Sequence, residues 1–548
     1  MSARLLGKSG LAAVACLLVS ASPAAAQDAK PLPAIAPTAD DALTEALEEG
    51  ELTEAEYALE RGRSLFQLPK VAAEFGDVER AGARDATLIL RDLALRLRSL
   101  PPKERAAARS LLARPDGGGV PVGNGWTAPL AHQAAACGTT ICLRWVESTA
   151  DAPQGADENP MTIPPWVTTT QSVFDHVWAQ HAGALGYKTP LPDHRPVGDP
   201  RLDIYLDDLG VDRVFGYCTT DDPRADDFNV FAVSAYCVVD NDYAAVQYGT
   251  AHTPEEFLQV TAAHEFHHAV QFTYDWLEDP WLMEGTATNM EETIYPAVDD
   301  NVTFLRQASQ FGSPAVSLDR GGLGDFEYGS WIFWRYLQEK VAGGNPAILR
   351  EIWDRADAQA VTDPDDYSLR AVARVLRTRT RNRLLADEYA RFGVANRLRD
   401  YLDGGKYPAT RTFARHGLGP RARTTRWRSW RFNHLTMRFF SFTPGPRVGR
   451  FKKLRVEVDL TLNGARATLI SYFKSGKVEV RPMRLGRLGN DSKRIPFGRG
   501  VVRKVDLVLS NGSSRFRSCF QDFDAPVFSC MGFAKDDRRV YRYRATLR

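Results

Sequence analysis

Two histidines and two glutamates in the middle of the chain have the types and the spacing of a catalytic metal site. His264 and His268 are four residues apart, so on a helix they share one face, with Cβ atoms about 5–6 Å apart. Two imidazoles at this spacing can hold one metal ion, and Glu265 projects beside that ion as a general base. A catalytic zinc ion also needs a third protein ligand and an open position for water. Glu284, sixteen residues after His268, is the expected third ligand.

The sequence around the histidines predicts a helix with a defined start. Thr253 and Glu256 can form a capping box, and Pro254 stands at the first helical position. The run 255–276 contains no proline or glycine that would interrupt the helix. Glu284 would come from a second helix, after a turn. The alternative is that the pattern arose by coincidence on a solvated helix face.

These motifs resemble the gluzincin metallopeptidases, the group that contains thermolysin, in which two histidines and a downstream glutamate bind zinc. The segment 281–287, Trp-Leu-Met-Glu-Gly-Thr-Ala, is similar to the third-ligand motif of the gluzincin aminopeptidases. The longer runs 264–275 and 281–296 resemble a less studied group of secreted bacterial metallopeptidases, and this resemblance extends weakly over residues 140–400. The chain lacks the Gly-Ala-Met-Glu-Asn motif of the aminopeptidases, so the resemblance favours an endopeptidase over an enzyme that trims amino termini.

The resemblance implies a reaction and two further site features. The reaction is hydrolysis of a protein or peptide substrate with Zn²⁺, in which Glu265 is the general base. Tyr328 precedes Gly329 near the place of the aminopeptidase Tyr-x-x-Gly, whose tyrosine stabilises the transition state; a packed core tyrosine is the alternative. Gluzincins have an edge strand beside the cleft, so residues near Tyr236 are expected to pair with the substrate backbone, with an internal strand as the alternative.

Two other functions are compatible with the same residues. One is a zinc-dependent hydrolase of a non-peptide amide, or of a cell-wall or glycoconjugate bond. The other is a non-catalytic surface-binding protein whose zinc ion is structural. Glu265 argues against the second function, because a structural site does not need a general base.

The first 26 residues predict a signal peptide, so we expect a protein secreted to the periplasm or the extracellular space. Arg4 and Lys8 precede a short apolar run at 11–21, and residues 24–26 are Ala-Ala-Ala. The apolar run is too short to span a bilayer, and no later run reaches the length of about 18 apolar residues that predicts a transmembrane helix.

Six cysteines follow the predicted signal peptide. They are Cys137, Cys142, Cys218, Cys237, Cys519 and Cys530. An even number of cysteines after an export signal predicts disulfide bonds, although sequence alone does not fix their pairing. Proximity favours the pairs 137–142, 218–237 and 519–530. A structural zinc site is the alternative, but the chain has no Cys-x-x-Cys pair.

A chain of 548 residues is too long for one core, and its composition divides it into several regions. Residues 27–115 predict a helical N-terminal region, either a packing unit or a propeptide that covers the active site. Glycines at 116–130 predict a linker, and 131–420 predicts an α+β, gluzincin-like metallopeptidase domain. Residues 421–548 predict an all-β sandwich, because apolar and polar side chains alternate there.

Local patterns predict individual elements of the last two regions. Strands are predicted at 141–146, 202–206, 230–239, 454–462, 469–473, 478–483, 501–509 and 540–547. Further helices are predicted at 165–185, 328–340 and 384–399. The sequence therefore predicts a multidomain fold in which helices dominate after Glu284 and strands dominate after residue 421.

The net charge of +1 conceals a strong asymmetry. Residues 421–548 contain 30 lysines and arginines against 9 acidic residues, a net charge of +21, and residues 1–420 carry −20. Such a basic domain can bind an anionic envelope surface, such as polysaccharide or lipid headgroups, or it can dock on the acidic remainder of the chain. No nucleic-acid motif is present, so no specific binding of DNA or RNA is expected.

Overall fold

The structure is a computed structural model that describes most of the chain. The described residues are 38–76, 78, 86–117, 126, 133–157, 159, 162–192, 200–306, 308–321, 325–358, 366–519 and 528–548. The predicted signal peptide and most of the predicted linker lie outside these residues. Within them, no helix is long and apolar enough to cross a membrane.

Five helices form the described N-terminal part, and α2, α4 and α5 share a core with the next region, whereas α1 and α3 form a small core of their own. They are α1 (Ala39–Glu48), α2 (Glu54–Phe66), α3 (Leu68–Phe75), α4 (Ala86–Leu95) and α5 (Pro102–Leu111). Leu93 and Leu111 belong to the same hydrophobic cluster as the central sheet. Arg114, which is 2% exposed, forms ion pairs with Asp203 and Asp221. The helical part therefore packs on the sheet through buried apolar and charged contacts.

The central sheet has five strands in the order β1-β2-β3-β5-β4. They are β1 (Gln133–Cys137), β2 (Ile141–Val146), β3 (Leu202–Asp207), β4 (Gly216–Thr219) and β5 (Tyr236–Asp240). The strand predicted at 230–239 begins only at Tyr236, and it pairs with β3 on one side and β4 on the other. The expectation that the backbone near Tyr236 borders the cleft is therefore wrong. The strand at this edge of the sheet is β4.

Nine further α-helices lie among the described residues, and helices dominate after Glu284, as predicted. They are α6 (Pro165–Trp178), α7 (Ala245–Tyr248), α8 (Pro254–Tyr274), α9 (Pro280–Ile294), α10 (Phe326–Gly329), α11 (Trp331–Tyr336), α12 (Ala347–Trp353), α13 (Leu369–Arg379) and α14 (Leu385–Leu398). π-Helical turns at Ala179–Ala184 and Leu337–Val341 extend α6 and α11. α8 lies at the centre, where it packs against α6, α9, β4 and β5. Its buried histidines consequently face other elements rather than solvent.

The C-terminal part is built from strands. They are β6 (Thr412–Leu418), β7 (Arg428–Phe432), β8 (Thr436–Pro444), β9 (Lys453–Leu460), β10 (Ala465–Phe473), β11 (Val478–Pro482), β12 (Asn490–Pro496), β13 (Val502–Asn511), β14 (Phe516–Arg517), β15 (Phe533–Ala534) and β16 (Arg539–Leu547). The five strands predicted after residue 450 are confirmed as β9, β10, β11, β13 and β16. Two sheets, β11-β10-β13-β8-β6 and β12-β9-β16-β7, enclose one hydrophobic core, with β14 and β15 as a separate pair.

Three disulfides join the pairs that proximity favoured. They are Cys137–Cys142, Cys218–Cys237 and Cys519–Cys530. The second disulfide links β4 to β5 at two directly paired residues, and both of its cysteines are fully buried. Disulfides persist in oxidising compartments, so these three bonds fit a secreted protein.

A buried ion pair ties the C-terminal strands to the helical part. His434 Nε2 lies 2.9 Å from Asp319 Oδ1, and His434 Nδ1 lies 2.6 Å from Asp537 Oδ1. Asp319 also accepts hydrogen bonds from the backbone N–H and the hydroxyl of Ser529. Burial lowers the pKa of His434, but the two aspartates outweigh burial and raise that pKa to about 10. The imidazolium therefore links both parts of the chain at neutral pH.

We expect His434→Gln to destabilise the protein by about 3–5 kcal/mol, because it leaves buried Asp319 without its cation. The pKa of this histidine is raised by folding, so its stabilisation is complete below the unfolded pKa of about 6.5 and is lost as pH rises through about 10. Urea unfolding of wild type and variant between pH 6 and 10 measures this change. His416→Gln is the control, because His416 contacts the hydroxyl of Tyr543 rather than a carboxylate. A stability difference that stays constant from pH 7 to 10 would contradict the pairing.

Candidate metal centre

The helix that carries both histidines starts with the predicted capping box. Thr253 Oγ1 accepts a hydrogen bond from the Glu256 N–H at 3.2 Å, and Glu256 Oε2 accepts one from the Thr253 N–H at 2.8 Å. The helix then runs unbroken to Tyr274. His264 and His268 consequently lie one turn apart, and both are buried.

The next helix, α9, brings Glu284 to these histidines. It begins at Pro280, which lacks the N–H that a first helical residue would leave unpaired. A Cβ atom at Gly285 would lie 2.2 Å from Ser330 Oγ and 2.3 Å from Trp334 Nε1, so the close packing of α9 against α10 and α11 requires glycine there. This packing holds the carboxylate of the preceding residue against α8.

Ligand atoms of His264, His268 and Glu284 converge in the interior. His264 Nε2 lies 3.1 Å from Glu284 Oε2, and His268 Nε2 lies 3.4 Å from Glu284 Oε1. One ligand atom from each residue falls within 4.8 Å of the other two. Two of these buried atoms, His268 Nε2 and Glu284 Oε1, have no hydrogen-bond partner among the described residues. Such atoms fit a bound metal ion, and two imidazoles with one carboxylate form a donor set that suits zinc.

The outer nitrogen of each imidazole is held by an acceptor. His264 Nδ1 donates to Glu291 Oε1 at 2.7 Å, and His268 Nδ1 donates to Gln271 Oε1 at 2.7 Å. The amide nitrogen of Gln271 donates to the carbonyl oxygen of Met283, which fixes the orientation of that amide. With the hydrogen on Nδ1, the lone pair of each Nε2 points towards the cluster. Partners of this kind orient metal-binding histidines and fix their tautomer.

The cluster is strongly charged for a buried site. Burial lowers the pKa of His264, but hydrogen bonds to Glu284 and Glu291 outweigh it and raise that pKa to about 10. Burial raises the pKa of Glu284, and both histidines lower it to about 2. A metal ion must replace protons at such ligands, because it binds neutral imidazole and ionised carboxylate.

Glu265 borders the cluster from the same helix. Its side chain is buried and lines, together with His264 and Glu291, a cavity of about 20 Å³. A cavity of this size has room for about one water molecule. Glu265 Oε2 accepts a hydrogen bond from the hydroxyl of Thr87 at 2.7 Å. A carboxylate in this position can exchange a proton with a water in the cavity.

The aromatic ring of Tyr328 packs against the cluster. The ring centroids of Tyr328 and His264 are 5.5 Å apart, with an angle of 21° between the ring planes. The ring of Phe304 also stacks on that of Tyr328, with ring centroids 5.3 Å apart. The stack restricts how the His264 imidazole can turn. The role of the Tyr328 hydroxyl in the transition state stays a prediction.

Three residues that contact the site were not found from the sequence. Gln271 is three residues after His268, so helical periodicity places it beside that ligand. Glu291 is seven residues after Glu284, so it lies on the same face of its helix two turns further on. That signal was available, although it does not tell which neighbour reaches an imidazole. Thr87 offers no such signal, because it comes from α4, far away in sequence.

The chain matches no protein-family profile and no curated protein. Among solved structures, it matches a family GH115 4-O-methyl-α-glucuronidase with specificity for decorated arabinogalactans, at 11% identity and a TM-score of 0.13. The match covers 56% of this chain and spans only 30% of the length of that enzyme. A TM-score this low does not establish a shared fold.

We expect the wild-type protein to bind about one equivalent of zinc, and His268→Gln to lose most of it, because two of three ligands hold the ion less tightly. Elemental analysis after dialysis against a weak chelator measures the bound metal. His267→Gln is a matched control, because His267 is a buried neighbour on the same helix whose Nε2 contacts Thr286 Oγ1 and not the cluster. Equal zinc contents in the two variants would exclude the cluster as the binding site.

Proposed function

We propose that the protein is a secreted zinc-dependent peptidase that hydrolyses peptide bonds. One observation carries the proposal: Glu265 lines the same cavity as His264, a member of the convergent His264, His268 and Glu284 cluster. A general base beside three metal ligands is the arrangement that hydrolysis by an activated water requires. The disulfides support the secreted location.

The ligands have the properties that this reaction needs. A zinc ion held by His264, His268 and Glu284 would lower the pKa of a water molecule to about 7 and polarise the carbonyl of the scissile bond. Glu291 and Gln271 keep both imidazoles in the tautomer that leaves Nε2 free. Burial of the cluster strengthens these electrostatic interactions by excluding solvent.

Proton transfer falls to Glu265. In the proposed mechanism its carboxylate accepts a proton from the water as that water attacks the peptide carbonyl. The same carboxyl then gives the proton to the leaving amine, so the side chain returns to its ionised form after each turnover. Tyr328 is the proposed donor to the oxygen of the tetrahedral intermediate, as the resemblance suggests.

The ligand count supports catalysis over a purely structural role. Structural zinc sites use four protein ligands, whereas catalytic sites use three and leave one position open. Only three histidine, cysteine or carboxylate side chains converge at this point among the described residues. Glu265, buried at 4% exposure, has no function in a purely structural site.

We expect Glu265→Gln to retain zinc and to lose hydrolysis by about 10²–10⁴-fold, the usual contribution of a general acid–base group. The measurement is turnover of a quenched fluorescent peptide library, with the metal content determined on the same samples. Glu255→Gln is the control, because Glu255 is exposed in the first turn of the same helix. Unchanged turnover in folded Glu265→Gln would remove this residue from the mechanism. Cleavage of cell-wall amides without any cleavage of peptides would replace the proposed substrate.

A basic surface on the C-terminal strands supports a second proposal, attachment to an anionic lipid surface. Phe451 is 91% exposed. The surface depression around it is lined by five cationic residues, Arg450, Lys452, Lys453, Arg494 and Arg548. All five are exposed, and they form no ion pair within the described part of the chain. Exposed cations attract anionic headgroups, and an aromatic ring among them can enter the interface.

The alternative, docking on the acidic remainder of the chain, involves few of these charges. Arg466 pairs with Asp387 at 2.6 Å, and this is one of the few contacts in which a C-terminal cation meets an acidic residue of the preceding region. In the pair Arg397–Asp506 the charges are reversed: the cation belongs to the helical part and the carboxylate to the C-terminal strands. Most of the +21 charge therefore stays available for an external partner.

We expect the protein to sediment with phosphatidylglycerol vesicles and not with phosphatidylcholine vesicles. Binding should weaken with salt, because exposed charges are screened within about 8–10 Å at physiological ionic strength. A double variant, Lys452→Gln with Lys453→Gln, should bind about 10-fold or more weakly, since each cation near the surface contributes about 1 kcal/mol. Leu488→Ala is the control, because Leu488 is an 81% exposed apolar residue outside this depression. Binding to anionic polysaccharide alone would replace the lipid partner, and no binding at low salt would end the proposal.

A further inference from the structure

One helix of the N-terminal part, α4, contacts both the edge strand β4 and the carboxylate of Glu265. Nine of its ten residues are buried, and it packs against β4, the strand at the edge of the central sheet. β4 in turn packs on the helix that carries the histidines: a Cβ at Gly216 would lie 2.7 Å from Thr261 Cγ2 and 3.3 Å from Glu265 Cγ. The helix α4 therefore sits where the sheet edge and the general base meet.

The hydroxyl of Thr87, on α4, forms hydrogen bonds with both the sheet edge and the general base. Its oxygen accepts a hydrogen bond from the backbone N–H of Cys218 at 2.9 Å, and its hydrogen is donated to Glu265 Oε2 at 2.7 Å. The Cys218 N–H faces away from β5, on the side where an added polypeptide strand would bind. One side chain of α4 thus forms hydrogen bonds with both groups that the proposed reaction needs: the N–H at the strand edge and the carboxylate of the general base.

A second anchor holds α4 against the turn between the two metal-binding helices. Arg91 Nη1 donates a hydrogen bond to the carbonyl oxygen of Glu278 at 2.7 Å and lies 3.5 Å from the carbonyl oxygen of Trp276. The same nitrogen lies 2.7 Å from Met283 Sδ, one residue before Glu284. Arg91 is 5% exposed, so these contacts are shielded from water. They fix α4 to the residues that position the ligands.

With α4 in place, the site is closed to a polypeptide. His264 is 5% exposed and Glu265 is 4% exposed. The cavity that both residues line has a volume of about 20 Å³, enough for about one water molecule and far too small for a peptide group with its flanking residues. Hydrolysis of a polypeptide at this cluster consequently requires a part of the chain to move.

We propose that α4 is an inhibitory helix that occupies the substrate position of the enzyme, and that its displacement activates the site. This inference rests on the proposed peptidase function and adds its regulation. Displacement of α4 frees the Cys218 N–H and the Glu265 carboxylate together. An extended substrate backbone could then pair with β4 while its scissile carbonyl lies beside the cluster. The cost of displacing α4 sets the fraction of molecules that are active.

The test is a gain of function in the full-length protein. Arg91→Ala removes the second anchor without touching the catalytic residues, and loss of hydrogen bonds from a charged group shifts such an equilibrium by roughly 10- to 100-fold. We expect peptide turnover and amide hydrogen exchange of residues 216–219 to rise together by about this factor. Thr87→Val provides a second variant that keeps the side-chain volume, in case Arg91→Ala does not fold. It should also raise both quantities.

Arg105→Ala is the matched control. Arg105 also holds two backbone carbonyls, those of Arg98 and Leu100, but both lie in the connection between α4 and α5, within the N-terminal part. It should therefore leave peptide turnover and exchange at 216–219 unchanged.

The possible outcomes separate this inference from the function on which it rests. Faster exchange without faster turnover, in an enzyme whose wild type cleaves peptides, would show that α4 is only structural and would overturn the proposal. Unchanged exchange in folded Arg91→Ala and Thr87→Val would overturn it as well. If wild type and variants all fail to cleave peptides while exchange rises, the peptidase function itself fails, and the inhibitory role fails with it.

Discussion

The fully buried carboxylate of Glu284 is the constraint on which the site depends. A buried anion is costly unless it is paired, and here two imidazoles from the neighbouring helix face its oxygens. Removing those partners would leave an uncompensated charge in the core. The packing around it follows from the same need: Gly285 lets α9 approach α10 and α11, and Gln271 joins α8 to the backbone of α9. A bound divalent cation would complete the compensation that two histidines begin.

Local signals in the sequence predicted the parts of the site that lie within single helices. The capping box at Thr253 and the spacing of His264 and His268 depend only on helical geometry, so both could be derived without tertiary information. The contact of Thr87 with Glu265 joins residues far apart in the chain, and no pattern in either segment encodes it. The position of β4 at the sheet edge was missed for the same reason. Strand order depends on how the chain crosses between strands, whereas the apolar run at 230–239 indicated only that a strand was present.

In the C-terminal part too, the sequence predicted some strands and missed others. Alternating side chains located β9, β10, β13 and β16, because one face of each strand points into a shared core. The same alternation located β11, although its Val478 and Val480 are exposed and not part of that core. β12 was not predicted, since Asn490–Pro496 is mostly polar and lies at the edge of its sheet. The charge asymmetry was visible in the composition, but the composition did not tell whether the basic residues bind an external surface or the rest of the chain. Two largely buried ion pairs among the described residues, His434 with Asp319 and Arg397 with Asp506, join the two regions, while the cations around Phe451 face solvent.

The proposed function depends on a catalytic metal ion at His264, His268 and Glu284. X-ray absorption at the zinc edge on the purified, zinc-loaded protein tests this most directly, because it counts the ligands and measures their distances. We expect two imidazole nitrogens at about 2.0–2.1 Å and oxygen ligands at about 2.0–2.2 Å from one carboxylate and one water, with no sulfur. The zinc that His268→Gln still binds after zinc loading should show only one imidazole nitrogen. Four protein ligands, or an absorption spectrum that His268→Gln leaves unchanged, would contradict the central claim.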